Sequence, residues 1–126
     1  MKVLLDTHTL VWGLTDQSKL SERVRKLLPS ADNWFSVVSL WEILIKARTG
    51  RLPLPQPTGP FVMAKLAYNG VRLLPVTAEH ALRIESLPDH HRDPFDRMLI
   101  AQSLEEKLPL VSADPLIARY PVEVIW

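Results

Sequence analysis

Short runs of apolar residues alternate along the chain with longer segments in which apolar side chains recur every three or four positions. The short runs are β-branched or aromatic with little polarity, as in residues 34–38 (WFSVV), and predict strands covered on both faces. The longer pattern predicts amphipathic helices. The predicted strands lie near residues 2–6, 34–38, 71–75, 109–112 and 122–125. The predicted helices cover residues 7–14, 21–28, 40–49, 60–69, 78–86 and 95–107.

This alternation of strands and helices predicts an α/β fold built from β-α-β units. Strands that are joined through helices run parallel, so we expect a central, mainly parallel sheet of five strands. Residues 51–60 contain four prolines and predict an extended connection instead of a helix. The length of 126 residues, without a repeat or a linker, predicts one domain over residues 1–126.

The composition excludes several classes of protein. There is no cysteine, which excludes a disulfide framework and a thiolate metal site. No apolar run approaches the roughly 18 residues that span a bilayer, and Asp6 and His8 interrupt the apolar start too early for a signal peptide. We therefore expect a cytoplasmic protein with no membrane association. The net charge of +1 gives no global field of the kind that marks many nucleic-acid binders.

Four acidic residues lie where a predicted strand ends or a predicted helix begins: Asp6, Glu42, Asp96 and Asp114. In an α/β sheet these positions share the edge at which strands end and ligands bind. Two carboxylates 4 Å apart repel by about 4 kcal/mol at an effective dielectric near 20, so four together require protonation or a cation. An all-oxygen ligand set favours Mg²⁺ or Mn²⁺. The chain is therefore predicted to be a metal-dependent enzyme acting on phosphate esters.

Three of these acids also fit helix-capping patterns. Ser39 and Glu42 match a capping box, with serine as the N-cap and glutamate as the third helical residue. Residues 93–96 (DPFD) match the same pattern with Asp93 as the cap, and Asp114 precedes a short predicted helix at 116–119. Taken singly, each of the three is more readily structural than catalytic. Asp6 differs, because it directly follows an apolar strand and has no comparable capping role.

Two observations favour one shared site over independent caps. Glu42 lies in a predicted helix that is apolar on most sides, and Asp96 lies on the apolar face of its helix, with Leu99, Ile100, Ser103 and Leu104. A solvating acid is expected on the opposite face. Helix N-termini also point toward the edge where parallel strands end, so capping and metal binding are compatible roles for one residue.

Polar residues beside these acids have predicted accessory roles. Asp93 is expected to bind the metal, to hydrogen-bond one of its ligands, or only to cap its helix. Thr7 and Ser112 lie next to strand ends and are expected to orient carboxylates by donating hydrogen bonds.

The histidines and tryptophans are expected to have mostly structural roles. His8 is expected either to face the crevice or to pack under the first helix. His90 and His91 are adjacent on a loop and are expected at the surface, although imidazole ligands would favour zinc or iron. The tryptophans near the acids are expected in the core or at a partner interface: Trp12, Trp34 and Trp41.

Basic residues follow the acids closely along the chain. Lys46 comes four residues after Glu42, and Arg92 and Arg97 lie on either side of Asp96. If the acids mark the site, these three cations are expected to hold a phosphate backbone at its rim. The alternative is that Lys46 forms an exposed i, i+4 pair and the arginines are only solvated.

Four segments resemble the motifs of the PIN-domain family, and most closely those of its VapC-type toxin ribonucleases from type II toxin–antitoxin systems. The segments are LLDTH at 4–8, SLWEI at 39–43, DPFDRMLIAQ at 93–102 and LVSAD at 110–114. Their order and spacing agree with the family over essentially the whole chain, and the third segment is the most specific. The departure is Ser112, where many relatives have threonine; the hydroxyl is kept.

The resemblance implies a three-layer α/β/α fold and an endoribonuclease that depends on Mg²⁺ or Mn²⁺. It implies that Asp6, Glu42, Asp96 and Asp114 are the catalytic and metal-binding residues, with Asp6 and Asp96 holding the principal ion and metal-bound water attacking the phosphorus. The implied partners are an RNA substrate, a VapB-type antitoxin that blocks the site, and a second copy of the chain in a homodimer.

Two other functions stay open on the sequence. A phosphatase of the haloacid-dehalogenase type also has an Asp after its first strand, but it usually needs Asp-x-Asp, and here His8 holds the second position. A catalytically silent scaffold that acts only through its protein partner predicts a broken acidic set, and all four acids are present.

Overall fold

The structure, a computed structural model, describes residues 1–126 and contains one sheet of five strands. The strands are β1 (Lys2–Leu5), β2 (Asp32–Ser36), β3 (Arg72–Leu74), β4 (Leu110–Val111) and β5 (Val124–Ile125). They are hydrogen-bonded in the order β3-β2-β1-β4-β5, and every pairing is parallel. The prediction of an α/β fold around a mainly parallel five-stranded sheet is confirmed.

Six α-helices accompany the strands, and each lies where the sequence pattern predicts one, with ends that differ by three residues or fewer. They are α1 (Thr7–Thr15), α2 (Glu22–Leu27), α3 (Val37–Arg48), α4 (Thr58–Tyr68), α5 (Ala78–Ile84) and α6 (Pro94–Glu106). Short 3-10 turns cover Gln17–Lys19 and Ile117–Arg119. None of the helices has both the length and the apolar character that a membrane crossing requires.

Two hydrophobic clusters cover the two faces of the sheet, because successive strand residues point to opposite sides. Val3 and Leu5 of β1 pack in one cluster with Ile43 of α3. Leu4, between them, packs in the other cluster with Ile100 of α6. All five side chains are almost completely buried. The result is the three-layer α/β/α arrangement that the resemblance implied.

The order of the strands opens a crevice at one edge of the sheet. The chain moves outward from the central strand β1 through β2 and β3, and then crosses to the other side of β1 for β4 and β5. Where the strand order reverses in an open parallel sheet, the carboxyl ends of the two neighbouring strands flank a ligand-binding crevice. Asp6 directly follows β1, and Ser112 directly follows β4.

The boundary between β2 and α3 differs from the predicted one. The predicted strand at 34–38 ends at Ser36, and Val37 is already the first residue of α3. The Ser36 hydroxyl accepts a hydrogen bond from the Val38 backbone N–H at 3.0 Å, so Ser36 is the N-cap. The predicted capping box is therefore wrong. Glu42 is the sixth residue of the helix, too far from its end to satisfy free N–H groups.

The new boundary can be tested with two alanine variants. Ser36→Ala is expected to lower the free energy of unfolding by about 1 kcal/mol, because the cap hydrogen bond is lost. Ser39→Ala is expected to change it little, because Ser39 lies inside α3, where alanine has the higher helix propensity. Urea unfolding at constant m-value measures both changes. A larger loss in Ser39→Ala would mean that the helix begins at the later, predicted position.

The connection predicted at residues 51–60 is shorter than expected. Helix α4 already begins at Thr58, so Pro60 lies in its first turn. Proline is tolerated there because the N–H groups of the first turn have no intrahelical partner. Pro53 and Pro55 lie in the connection itself, outside regular structure.

Candidate active site

The four predicted acids line one cavity of about 400 Å³ at the carboxyl edge of the sheet. They come from four separate parts of the fold: the end of β1, the middle of α3, the start of α6 and the loop after β4. The cavity is also lined by His8, Trp12, Lys46, Asp93 and Ala113. A separate cavity of about 370 Å³ beside α1 and α2 has no carboxylate among its lining residues.

Asp6 is held at the end of the central strand. Its side chain is almost completely buried, and Ser112 donates a hydrogen bond from Oγ to Asp6 Oδ2 at 2.6 Å. Burial raises the pKa of Asp6 above its ordinary value, while the hydrogen bond from Ser112 acts in the opposite direction. The buried carboxylate is therefore short of compensating positive charge.

Glu42 projects from the middle of α3 with both of its oxygens engaged. Thr7 donates from Oγ1 to Glu42 Oε1 at 2.7 Å, and the Lys46 ammonium lies 2.6 Å from Glu42 Oε2. The Glu42 side chain is 5% exposed and that of Lys46 is 23% exposed. The pair is thus half-buried at the cavity, and it is not the fully exposed i, i+4 pair that the sequence alternative described.

Asp96 is the third residue of α6, and Asp93 is its N-cap, as the sequence pattern predicted. Asp93 Oδ1 accepts hydrogen bonds from the backbone N–H groups of Phe95 at 2.8 Å and of Asp96 at 3.3 Å. Burial, followed by the negative charges of Asp93, Asp6 and Glu42, raises the pKa of Asp96 to about 7. Burial and the neighbouring negative charges thus both favour the protonated form of the Asp96 carboxyl.

Asp114 is fixed by contacts on both carboxylate oxygens. Its Oδ1 accepts from the Leu116 backbone N–H at 2.9 Å, and its Oδ2 lies 3.1 Å from His91 Nε2. The Asp114 backbone N–H donates to Ser112 Oγ at 3.1 Å. Because the same hydroxyl donates to Asp6, Ser112 links two of the four acids.

The sequence of the chain matches the model of one known protein family. A family model described as PIN domain matches residues 3–123 of this chain. The chain belongs to the PIN domain family. The match includes all four acids of the cavity.

Solved structures with the same fold include toxin–antitoxin complexes. This PIN domain resembles a chain of VapBC2 from Rickettsia felis bound to a DNA fragment from their promoter, with a TM-score of 0.73 and 13% identity over 99% of this chain and 98% of that chain. It also resembles a chain of DNA-bound VapBC from Salmonella typhimurium, with a TM-score of 0.71 and 16% identity over 99% and 97%. For FitAcB from Neisseria gonorrhoeae the TM-score is 0.67, with 20% identity over 100% and 97%. A comparison with curated protein sequences gives no match.

The expectation that His90 and His91 are surface residues is wrong for His91. Its side chain is 6% exposed, and the ring stacks on Tyr120 with centroids 5.5 Å apart. The ligand atoms of His91, Asp96 and Asp114 lie within 4.8 Å of one another. A sequence signal was present, because two prolines enclose this loop directly before the Asp96 helix. His8 lines the cavity of this PIN domain and is exposed.

The predicted RNA-contacting residues lie in three different environments. Lys46 lines the cavity, and Arg92 is exposed on the loop before α6. The Arg97 guanidinium instead donates to the backbone carbonyls of Ile84, Pro88 and His91. Arg97 therefore holds the loop of this PIN domain in place and is not among the residues that line the cavity.

The three tryptophans that were expected in the core or at an interface also lie in different environments. Trp12 lines the cavity beside His8, with ring centroids 5.7 Å apart. Trp34 packs against the second hydrophobic cluster. Trp41 is 59% exposed and lies edge-on to Phe95, outside the core of the PIN domain.

Proposed function

We propose that this protein is a metal-dependent endoribonuclease, the toxin of a toxin–antitoxin pair, which hydrolyses RNA phosphodiester bonds with water. The observation that carries the proposal is the convergence of Asp6, Glu42, Asp96 and Asp114 on one cavity. Four separate elements supply these acids, so their meeting is a property of the fold and not of one local motif.

The residues of the cavity suit a divalent cation. The four acids offer only oxygen ligands, the set that Mg²⁺ and Mn²⁺ prefer. The raised pKa values of Asp6 and Asp96 indicate that the negative charge is undercompensated, which a cation would relieve. Asp6 and Asp96 are the proposed principal ligands, with Glu42 and Asp114 binding directly or through water. When bound, such an ion lowers the pKa of its water and offsets charge that develops on the phosphate.

The other residues of the site support orientation and binding, not covalent catalysis. The hydroxyls of Thr7 and Ser112 both donate to carboxylates, so neither is free to attack phosphorus. The chain has no cysteine. Water is therefore the proposed nucleophile, and the two hydroxyls hold Glu42 and Asp6 in the orientation that the site requires.

The proposed partners follow from the fold neighbours and from the cavity. Chains with this fold occur in VapBC complexes, which supports a VapB-type antitoxin as the protein partner. A homodimer stays a proposal, and the exposed Trp41 on α3 is a suitable contact residue for it. Of the alternatives, membership of the PIN family argues against the phosphatase. The complete acidic set argues against a silent scaffold.

The proposal is tested by incubating the purified, partner-free protein with total cellular RNA in Mg²⁺ or Mn²⁺ and in EDTA, beside Asp6→Asn. We expect cleavage that requires the metal and is lost in the variant, and mapping of the new RNA ends then identifies the target. Metal binding without cleavage of any cellular RNA would contradict the proposed activity.

Lys46 is expected to affect metal and RNA in opposite directions. Its ammonium lies 2.6 Å from Glu42 and competes with a cation for that carboxylate. Lys46→Gln should therefore bind Mg²⁺ more tightly but RNA more weakly, with a salt dependence of RNA binding reduced by about 0.7 in log–log slope. Titration calorimetry measures the first, and RNA binding in an Asp6→Asn background measures the second without cleavage.

The matched control for Lys46→Gln is Lys26→Gln. Lys26 is an exposed lysine on α2 that is also paired with a glutamate four residues away, and it is not among the residues of the cavity. It should leave both affinities unchanged. If Lys46→Gln changed the affinities for Mg²⁺ and for RNA in the same direction, Lys46 would not compete with the metal for Glu42.

A further inference from the structure

His91 lies behind two acids of the cavity, Asp96 and Asp114, and is not itself among the residues that line it. Its Nε2 atom is 3.1 Å from Asp114 Oδ2 and 3.9 Å from Asp96 Oδ2. Two roles fit these distances: the imidazole could bind the metal through a lone pair on Nε2, or it could donate a hydrogen bond from Nε2–H to Asp114. The rest of the ring's environment distinguishes these roles.

The loop that carries His91 is held by hydrogen bonds with two side chains outside it, those of Tyr120 and Arg97. The Tyr120 hydroxyl accepts the backbone N–H of His90 at 3.2 Å and that of His91 at 2.7 Å. The His91 ring also stacks on the Tyr120 ring, with an interplanar angle of 22°. From the other side, Arg97 donates to the carbonyls of Pro88 at 2.9 Å and of His91 at 3.5 Å. The imidazole is thus presented to the acids in one orientation.

The two roles differ in which ring nitrogen carries the proton. Nδ1 of His91 is buried and has no hydrogen-bond partner. A histidine that binds metal through Nε2 carries its proton on Nδ1 and normally donates it to an acceptor. Nδ1 is unpaired in either tautomer, but only a proton on Nε2 gives the Asp114 oxygen 3.1 Å away a hydrogen-bond donor, whereas a bare Nε2 would set one lone pair against another. We therefore assign the proton to Nε2 from the hydrogen-bond network, with a bare lone pair on Nδ1.

We propose that His91 is a positioning residue, whose Nε2–H holds the Asp114 carboxylate in place at the metal site. The proposal rests on the proposed function of that site. Asp114 needs such support because it lies on a loop after a strand of two residues and its side chain is 32% exposed. With Leu116 N–H on Oδ1 and His91 on Oδ2, both carboxylate oxygens are oriented.

The test compares two substitutions at His91. His91→Phe keeps a ring that can stack on Tyr120 but removes the donor, and His91→Gln keeps an N–H donor without the ring. We expect His91→Phe to lower Mg²⁺ affinity and RNA cleavage by roughly 10–100-fold, the usual effect of losing an outer hydrogen-bond partner of a metal ligand. His91→Gln should recover most of that loss. A merely structural role for the ring predicts the reverse order.

Two readouts do not require activity. In a double-mutant cycle on Mg²⁺ affinity, His91→Phe should add little in an Asp114→Asn background, because its effect acts through that carboxylate. Nitrogen NMR of the imidazole should show the Nε2–H tautomer both without and with Mg²⁺. Conversion to Nδ1–H on adding Mg²⁺ would show direct ligation, and additive effects in the cycle would show independence from Asp114. Either result overturns the proposal.

Failure of the proposed function can be recognised separately. If the wild-type protein cut no RNA, the Mg²⁺ affinities and the tautomer would still decide the role of His91. Tyr120→Phe is a second variant for the case that the substitutions at His91 disturb the fold. It removes the hydroxyl that holds the loop and leaves His91 itself unchanged. It should lower Mg²⁺ affinity in the same direction as His91→Phe, but less. An unchanged affinity would contradict the proposed positioning of His91 by its loop.

Discussion

Replacing Asp6 with asparagine is expected to abolish metal-dependent RNA cleavage while the fold stays intact. Asp6 directly follows the central strand, is almost completely buried and is one of the two proposed principal ligands. Asparagine has nearly the same volume, and its carbonyl oxygen can still accept the hydrogen bond from Ser112. The change therefore removes charge without opening a cavity, and a buried carboxylate with a raised pKa is not needed for stability.

The cleavage rate of Asp6→Asn is expected to fall by more than the roughly 10–100-fold that removal of an outer hydrogen-bond partner causes, because a direct metal ligand is lost. Initial rates of RNA cleavage over a Mg²⁺ titration measure it, with circular dichroism and thermal unfolding as checks on the fold. Asp16→Asn is the control, since Asp16 is exposed and is not among the residues of the cavity. Retained cleavage in Asp6→Asn would place the active site elsewhere.

A shared metal site leads to a second prediction for Asp6→Asn. If Asp6 and Asp96 hold the same ion, the effects of Asp6→Asn and Asp96→Asn on Mg²⁺ affinity should be strongly non-additive. Independent effects would mean that the two carboxylates do not share a cation.

Asp96→Asn is expected to stabilise the metal-free protein at pH 8 and to have much less effect at pH 4. The pKa of Asp96 is raised from 3.8 to about 7, so the folded state favours the protonated carboxyl. The stability that this group contributes is complete below pH 3.8, decreases as the pH rises toward 7, and is absent above that value. Asparagine resembles the neutral form at every pH, and the advantage of the variant should therefore grow over that interval.

The expected gain in the free energy of unfolding is modest because Asp96 is partly exposed. Solvent screening limits the gain at pH 8 to about 1–2 kcal/mol, which for a domain of this size raises Tm on the order of 5 °C. Thermal unfolding in EDTA from pH 4 to pH 8 measures it. Asp16→Asn is again the control: hydrogen bonds from Ser18 lower the pKa of Asp16, so its variant should gain no stability as the pH rises.

Saturating metal should reverse the order of stability. A cation that binds only the folded wild-type protein adds about 2.7 kcal/mol at a hundred times its Kd, and the variant lacks a ligand for it. We expect wild type to melt above Asp96→Asn in excess Mg²⁺ and below it in EDTA at pH 8. If the two proteins kept the same order under both conditions, Asp96 would not be a metal ligand.

Much of this fold could be predicted from the sequence, because strands and helices follow from patterns among near neighbours. The period of apolar residues placed all five strands and six helices close to their observed positions. The start of α6 was predicted well, since Asp93 and Pro94 form a strong local cap signal. The start of α3 was not. Val37 and Val38 are apolar and β-branched, so they suit the end of a buried strand as well as the first turn of a helix.

The acidic residues were also recognisable. Asp6, Asp96 and Asp114 occupy element ends that a parallel sheet brings to one edge, whereas Glu42 was recognised from a predicted helix start that lies three residues too late. Only the tertiary structure decided which side chains meet at that edge, which hydrogen bonds they form and how their pKa values shift. Ser112 donates to Asp6 across 106 positions of the chain, Thr7 to Glu42 across 35, and His91 faces Asp114 across 23. Periodicity carries no information about such contacts. The pKa of Asp96 depends on burial, on the nearby Asp93, and on Asp6 and Glu42 from distant parts of the chain. Arg97 anchors the loop only because three backbone carbonyls converge on it.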